Sequence, residues 1–478
     1  MNKEYRAHPV QIIINIWKLL IFLLLPLIRG IINAFTGNFR SWLEGAWFDI
    51  CVILLILGAG VVMWYRTTYR VETEGIYLNR GVFMRKNSFI PKKNILSCVI
   101  THNFYLRPIN AVRVRADTLG GSFKNADFNI ILTPKRAKEL TEKISISEEN
   151  FKPLYHSNLI YVIILSFISS NSLGGILIIT TFISSLGEAL GKELSNRIFD
   201  TFQQVSRKLA LGIPPAAANL AFLLFAGWCV AFVRNVIKYR NLTVSKADNL
   251  VDIKSGIFTI NQYRISSEAI NYFDIRQTLL TKVLGISYIF VSATGFGKSE
   301  NDVSAFVPAV KNKNLDNILK SLDLGFKPKA RQIKPNLGAI FRFIADPSYF
   351  CILIPITTYI LIKVYPEWYD FLISIAVIPM IPALWFFTVR FIDCFTSGAA
   401  KSGDSYTLKY SKGFYFHEAV IPEDKIVAVK LKQSIFQKAD GRCDLYVYNC
   451  SEGVQVHKCR NLKKEEVIFL FGKKITKP

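Results

Sequence analysis

Basic side chains form the clearest chemical pattern in this sequence. Its 478 residues include 59 Lys and Arg against 35 Asp and Glu, so the formal net charge is +24 at pH 7. Each Lys or Arg held beside an anionic lipid surface contributes about 1 kcal/mol to binding. The pattern predicts contacts with anionic membrane lipids, or else charges that only set topology and solubility. Eight residues are the candidate lipid contacts: Arg85, Lys86, Lys92, Lys93, Lys327, Lys329, Arg331 and Lys334.

One stretch has some of the residues of a nucleotide-binding loop. Residues 292–299 end in Gly-Lys-Ser, whose backbone amides and ammonium group can hold phosphates. However, Ser292 stands where such a loop has its first glycine, and the stretch leads into acidic residues and another apolar strand. Because no helix N-terminus follows to face a phosphate, the stretch is typical of a hairpin turn.

Catalytic and metal-binding patterns are weak. The five histidines lie in no nucleophile elbow or paired-histidine motif, and the eight cysteines include no closely spaced Cys pair. Cys443, Cys450 and Cys459 with His457 come nearest to a zinc site, but their spacing is not that of one. We therefore expect a non-enzymatic protein with no catalytic residues, no cofactor, no bound metal and no nucleic-acid partner.

Six apolar segments, arranged in three pairs, divide the chain. They cover residues 12–35 and 46–65, 159–183 and 213–233, and 349–364 and 371–392. Each is long enough, or nearly so, to cross a hydrocarbon core of about 30 Å as a helix. For the third pair, one long buried helix is the alternative to a hairpin. The pattern predicts a multi-pass membrane protein with six transmembrane helices in three hairpins.

Positive charge is concentrated in the long stretches that follow each pair of apolar segments. Residues 66–157, 234–348 and 390–478 carry nearly all of the net charge, whereas the short connections 37–45 and 363–370 are close to neutral. Loops rich in Lys and Arg remain in the cytoplasm. We therefore expect the N-terminus, the C-terminus and all three basic stretches to be cytoplasmic and to face the anionic inner leaflet.

The connection between the third and fourth segments has a helical pattern of its own. Over residues 186–209, apolar side chains recur at about every fourth position and charged side chains occupy the opposite face. This predicts an amphipathic helix on the outer membrane surface, which either packs across its neighbours or docks an external agent. Its apolar stripe includes Leu186, Leu190, Leu194, Ile198 and Phe202.

The three basic stretches, called modules one to three, share one order of short strands. A hairpin turn containing glycine and an aromatic residue recurs at Gly81, Gly256 and Gly413. An Ile-Pro-x-x-x-Ile sequence follows at 90–95 and 421–426, and module two has Ser266 in place of the proline. Runs rich in Ile, Val, Tyr and Phe between such turns indicate antiparallel strands.

Each module ends in a segment with a helical pattern. These segments cover 135–144, 315–322 and 462–471, and their predicted N-caps are Thr133, Asn314 and Asn461. The apolar face of such a helix can cover a small curved sheet. We expect an α+β protein in which each transmembrane hairpin is followed by a β-sandwich or partial barrel capped by a C-terminal helix.

The Gly-aromatic hairpin and the Ile-Pro-x-x-x-Ile strand resemble those of the bacterial pleckstrin-homology-like (PH-like) domain. Three such domains separated by membrane hairpins are similar to bacterial membrane proteins of the YdbT type. The resemblance implies a PH-like fold, a bacterial cell membrane location, a non-enzymatic role and a shorter membrane protein of the same family as partner. Ser266 and the shortened hairpin of module three depart from the pattern, so one ligand common to all three modules is not implied.

The predicted organisation has seven parts. They are transmembrane hairpin 1 (1–66), module one (67–150), transmembrane hairpin 2 with its outer helix (157–235), module two (239–325), a basic linker (326–348), transmembrane hairpin 3 (349–392) and module three (403–475). Two functions remain open. One is a scaffold in envelope maintenance or resistance to membrane-active peptides, and the other is a transporter or lipid-handling protein.

Overall fold

A computed structural model describes an α+β protein in which sheet modules alternate with apolar helices. The described residues are 4–17, 39–82, 84–118, 126–144, 151–170, 196–197, 200–201, 203–205, 214–293, 305–322, 325–336, 338, 340–451 and 453–472.

Module one follows two helices. Strand β1 (Tyr5–Arg6), helix α1 (Gln11–Trp17) and helix α2 (Phe39–Tyr65) precede it. Its elements are β2 (Thr68–Val71), β3 (Gly75–Arg80), β4 (Lys86–Pro91), β5 (Ile95–His102), β6 (Val112–Thr118), β7 (Phe128–Leu132) and helix α3 (Pro134–Lys143). The side chain of Thr133 accepts a hydrogen bond from the backbone N–H of Arg136, which confirms the predicted N-cap of α3.

Module two repeats this order. Strand β8 (Lys152–His156), helix α4 (Leu159–Ser169) and helix α5 (Pro215–Tyr239) precede it. Its elements are β9 (Thr243–Ala247), β10 (Leu250–Ser255), β11 (Ile260–Ser266), β12 (Ile270–Thr278), helix α6 (Leu279–Val283), β13 (Ile286–Ala293), β14 (Ala305–Lys311) and helix α7 (Asn312–Leu322). Strands β13 and β14 pair with each other on either side of the stretch that contains Gly-Lys-Ser, whose predicted turn at 294–304 lies outside the described residues.

Module three is the last unit. Helices α8 (Ile340–Val364) and α9 (Tyr369–Thr396) precede it. Its elements are β15 (Gly398–Ser402), β16 (Ser405–Lys412), β17 (Tyr415–Pro422), β18 (Ile426–Lys432), helix α10 (Ile435–Ala439), β19 (Arg442–Ser451), β20 (Gly453–Lys463) and helix α11 (Lys464–Phe471).

The start of the last helix in modules two and three differs from the prediction. Helix α7 already begins at Asn312, so Asn314 lies inside it. Strand β20 continues to Lys463, and Asn461 has a positive φ of 53° within it. Asn461 therefore bends the strand instead of capping α11. Its backbone N–H donates to Asp444 at 3.0 Å, which satisfies the group inside the module.

In each module, the chain segment that precedes the helix pair is hydrogen-bonded to the strand that follows the helix pair. Strand β1 pairs with β2, and β8 pairs with β9. In module three, Ile333 forms a bridge with Ala399 of β15. The helix pair is therefore inserted between two hydrogen-bonded parts of one sheet. Most of the predicted linker 326–348 belongs to this arrangement or to the start of α8.

The modules are joined by continuous sheets. Strand β5 of module one pairs with β11 of module two, which gives a seven-stranded sheet in the order β7-β6-β5-β11-β10-β9-β8. Strand β12 of module two pairs with β17 of module three, in a six-stranded sheet of order β14-β13-β12-β17-β16-β15. We call these two contacts the first and second junctions. Since backbone hydrogen bonds cross both, the modules form one connected body.

Three helices in the described residues are long and apolar enough to cross a membrane. They are Ala216–Tyr239, Ile340–Val364 and Pro366–Thr396. A further helix, α2, has a shorter apolar part at Ile50–Tyr65. The other two predicted segments begin as α1 and α4 and continue outside the described residues. The membrane character is thus supported, while six crossings remain a prediction.

The third helix pair is longer at both ends than the sequence predicted. It begins at Ile340 and ends at Thr396, because its outer turns pack on module three. Near the start, Arg342 donates to Asp440 at 2.9 Å, and near the end Arg390 donates to the backbone oxygen of Ser411 at 2.9 Å. The first turns of α8 and the last turns of α9 therefore pack on module three. The apolar part of each helix that is available to cross a membrane is shorter than the whole helix.

Candidate functional site

The predicted lipid contacts of module one form two separate groups. Arg85 and Lys86 are exposed at the start of β4, and Lys92 and Lys93 follow its end. A strand rises about 3.3 Å per residue, so the two groups lie roughly 20 Å apart. They are not one patch, and their contact with lipid remains a prediction.

Of the four predicted lipid contacts in the linker, two donate hydrogen bonds to neighbouring parts of the protein. Lys327 and Lys334 are exposed. Lys329 donates from its backbone N–H to the Thr407 hydroxyl at 3.1 Å and from Nζ to the Lys401 carbonyl at 3.0 Å. Arg331 donates to the carbonyl oxygens of Phe395 at 2.6 Å and Ser397 at 3.0 Å, where α9 ends.

The guanidinium of Arg331 also lines a cleft at the second junction. This cavity has a volume of about 370 Å³ and lies between α6 of module two, β16 and β17 of module three, and the end of α9 at Thr396. Two further cations, Lys282 and Lys409, reach the same space. We call it the junction cleft.

Electrostatics in the junction cleft favour an anion. Lys409 pairs with Glu418 at 2.8 Å, and the Lys282 ammonium lies 4.1 Å from the centre of the Phe416 ring. Burial lowers the pKa of Lys282, Asp393 opposes this effect, and Lys409 and Arg331 lower the pKa further. An anion in the cleft would relieve the repulsion among these cations. Three cations and one carboxylate suit a phosphate or a lipid headgroup.

Sequence reasoning identified Arg331 but missed Lys282 and Lys409. Lys282 follows the Gln-Thr-Leu-Leu sequence that ends β12, and Lys409 lies in a hairpin strand far along the chain. The pairing of β12 with β17 brings them together. The residue pattern around Lys282 or around Lys409 does not indicate which strands will pair.

A buried ionic network holds the second junction beside the cleft. The Asp274 carboxylate accepts from Nε of Arg276 at 2.6 Å and contacts Nδ1 of His417, on β17, at 2.8 Å. Burial raises the pKa of Asp274, but His417 and Arg276 outweigh burial and hold the pKa below its ordinary value. Asp274 is therefore a carboxylate at neutral pH, and it ties module two to module three.

An apolar cavity of about 360 Å³ lies where the second junction meets α9. It is lined by Phe167, Thr278, Leu280, Ile381, Pro382, Trp385, Phe414 and Tyr415. Its walls thus come from two membrane-type helices, α4 and α9, and from two modules. Such a lining suits an acyl chain or another apolar group.

The remaining sequence candidates have these positions. Leu186, Leu190, Leu194, Ile198 and Phe202, the stripe of the predicted outer helix, lie outside the described residues. Among the residues that the structure describes, no group of three His, Cys, Asp or Glu side chains could hold a metal ion.

The imagined zinc ligand His457 has other partners. It contacts the Tyr410 hydroxyl at 2.9 Å and Asn449 at 3.2 Å. Burial raises the pKa of the Cys443 thiol to about 11, and burial raises the pKa of Cys459 well above its ordinary value. Both thiols are therefore protonated core residues, which are poor metal ligands.

Comparisons with known proteins agree with this architecture. A family model described as bacterial PH domain matches residues 20–146 and 202–323, which contain modules one and two. The UPF0699 transmembrane protein YdbT of Bacillus subtilis (strain 168) is 22% identical over 355 residues, which cover 67% of this chain and 69% of that protein. No solved structure matches the chain. Since the family model covers more than half of the sequence, this chain belongs to the bacterial PH domain family.

Proposed function

We propose that this protein is a non-enzymatic scaffold of the bacterial cell membrane that acts in envelope maintenance or in resistance to membrane-active peptides. The observation that carries the proposal is the continuity of the sheets. Two junctions join three modules into one body, and each module is bonded to both sides of its helix pair. A rigid body attached to the membrane at several points suits mechanical support or assembly.

The proposed topology follows from charge. The three modules and both termini lie in the cytoplasm and six helices cross the membrane, because the basic residues are concentrated in the module stretches. The proposed partners are anionic lipids of the inner leaflet and a shorter membrane protein of the same family.

Deletion of the gene tests the scaffold function. Cells without the protein are challenged with a panel of pore-forming peptides and detergents, and the proposal expects increased sensitivity to at least one class. Re-expression of the full chain should restore resistance. Unchanged sensitivity across the panel would refute it.

Lipid handling is the second candidate, and the two cavities support it. The junction cleft offers three cations, and the apolar cavity offers a lining for an acyl chain. If the protein moves lipid, proteoliposomes containing it should transfer labelled phospholipid between leaflets faster than empty liposomes do. Equal rates would eliminate this candidate and leave the scaffold.

A further inference from the structure

The two junctions use the same strands in the same register. In the first junction, Cys98 of β5 lies opposite Arg264 of β11, and in the second, Phe273 of β12 lies opposite Val420 of β17. Cys98 and Phe273 each lie three residues after the isoleucine that begins their strand. Arg264 and Val420 each lie one residue before the isoleucine near the end of theirs. We count the segment that precedes each helix pair as the first strand of its module. The junction is therefore a repeated head-to-tail contact, in which the fifth strand of one module (β5 or β12) meets the fourth strand of the next (β11 or β17).

A head-to-tail contact leaves an unused edge at each end of the array. Within the described part of the chain, β4 pairs only with β3 and β18 only with β19. Val427 of β18 is 67% exposed, whereas the equivalent Asn271 of β12 is 9% exposed. The edge of β18 is thus equivalent to the edge that β5 and β12 use, and no strand among the described residues pairs with it.

The β18 edge keeps the side-chain arrangement of a junction but changes its charges. Lys430 and Lys432 occupy the positions of Asp274 and Arg276. Lys432 lies 5.0 Å from the ring centre of Tyr446, much as Arg276 lies over an aromatic ring of its neighbouring strand. A junction carboxylate is therefore replaced by a second cation.

These charges argue against a second copy of this chain as the occupant. In the second junction Arg276 lies opposite His417. The same register would place Lys86 of another copy's β4 opposite Lys432 and diagonal to Lys430. Like charges directly opposite one another destabilise a strand pair, and Lys on an edge strand prevents pairing between copies. A strand with a carboxylate at the position of Lys86 would instead meet two cations.

We propose that the β18 edge binds the fourth strand of a PH-like module in a different membrane protein, and that this strand carries Asp or Glu at the position equivalent to Lys86. The contact extends the sheet of β18, β19 and β20 by backbone hydrogen bonds, and the carboxylate sets the register between Lys430 and Lys432. This proposal rests on the scaffold function, because it makes the third module the attachment point for a further unit.

Cross-linking in the native host tests the proposal. A photoreactive amino acid replaces Val427 in the full chain, the membranes are irradiated, and the cross-linked peptides are identified by mass spectrometry. The expected product joins position 427 to the end of the fourth strand of a PH-like module on another polypeptide. Lys430→Glu with Lys432→Glu should lower the cross-link yield at least tenfold. Lys463→Glu with Lys464→Glu, the same charge change at the opposite side of the sheet where β20 ends and α11 begins, should leave the yield unchanged.

Three outcomes would overturn the proposal. They are a cross-link to β4 of a second copy, a cross-link only to lipid or to a protein without a PH-like strand, and equal loss of yield in both double variants. Unchanged labelling of the buried thiols Cys443 and Cys459 verifies that each variant is folded. Failure of the scaffold function is a separate result, because it is read from peptide sensitivity in deletion cells and not from the cross-link.

Discussion

Asp274 is expected to decide how firmly modules two and three are joined. The side chain of Asp274 is 2% exposed, and its partners are Arg276 on the same strand and His417 across the second junction. Asp274→Asn keeps the shape but removes the charge, and the new amide N–H₂ faces groups that are themselves donors. The guanidinium of Arg276 is then left half-buried without a counter-ion.

The cost can be estimated from this geometry. Removing one partner of a buried ion pair costs about 3–5 kcal/mol, and the lower end applies because the Arg276 side chain is 30% exposed. At about 2–4 °C per kcal/mol for a unit of roughly 150–250 residues, a loss of about 3 kcal/mol lowers the melting temperature by about 6–12 °C. The matched control is Glu418→Gln. It breaks the more exposed pair with Lys409 at the same junction and should cost less than about 1 kcal/mol.

Site-resolved thiol labelling measures the effect. The protein in detergent is heated stepwise and pulsed with a maleimide, and mass spectrometry reports labelling at Cys443 and Cys459, which are buried in module three. Because the pKa of Asp274 is lowered in the folded protein, its contribution is present above the ordinary value of 3.8 and is lost as the pH falls below it. The gap between wild type and Asp274→Asn should be present at neutral pH and should close in stronger acid, below pH 3.8. If Asp274→Asn shifts the transition no more than Glu418→Gln does, the network does not hold the junction.

Two further predictions concern module three and the junction cleft. Burial lowers the pKa of His457 from 6.5 to about 4, so the unfolded chain takes up a proton over that range and the folded chain does not. Stability should fall by about 3 kcal/mol between pH 7 and 4, and His457→Gln should remove this part of the pH dependence of thiol labelling; an identical profile in the variant would contradict it. In nanodiscs containing phosphatidylglycerol, Lys282→Gln with Lys409→Gln should weaken lipid retention about thirtyfold, which corresponds to about 1 kcal/mol per lysine. Lys313→Gln with Lys320→Gln, two exposed lysines of α7 outside the candidate lipid contacts, is the matched control, and equal lipid counts by native mass spectrometry in the two double variants would argue against a site in the cleft.

The elements of each module could be predicted because their causes are local. Gly81 and Gly256 mark hairpins in which each adopts a φ near +100°, and a Cβ at either position would meet a backbone oxygen at about 2 Å. Only glycine fits such a turn, so its recurrence locates the hairpin. Thr133 followed by proline likewise defines a helix start from neighbouring residues alone.

The junctions could not be predicted because strand pairing is non-local. In the structure, β5 is buried along most of its length, and β12 is buried at the polar Asn271 and Asp274 as well as at its apolar positions. In contrast, only Ile426 and Val429 are buried in β18, and Lys430 and Lys432 are exposed, as on a strand with one open edge. The difference in pattern among three equivalent strands indicates which of them are covered, but not what covers them. The junction cleft has the same origin, since Lys282 and Lys409 meet only after β12 has paired with β17.

The position of each helix pair within its sheet has a mechanical consequence. Because β8 pairs with β9 on one side of α4 and α5, those helices cannot shift relative to module two without breaking backbone hydrogen bonds. The same holds for α8 and α9, where Ile333 and Ala399 exchange hydrogen bonds at 3.0 and 3.1 Å. The first and second junctions then pass a displacement of one helix pair to the next module through strand pairs instead of flexible linkers. In the proposed scaffold, a deformation of the membrane at one hairpin would therefore be carried along the array as far as β18, the edge at which we expect the partner to bind.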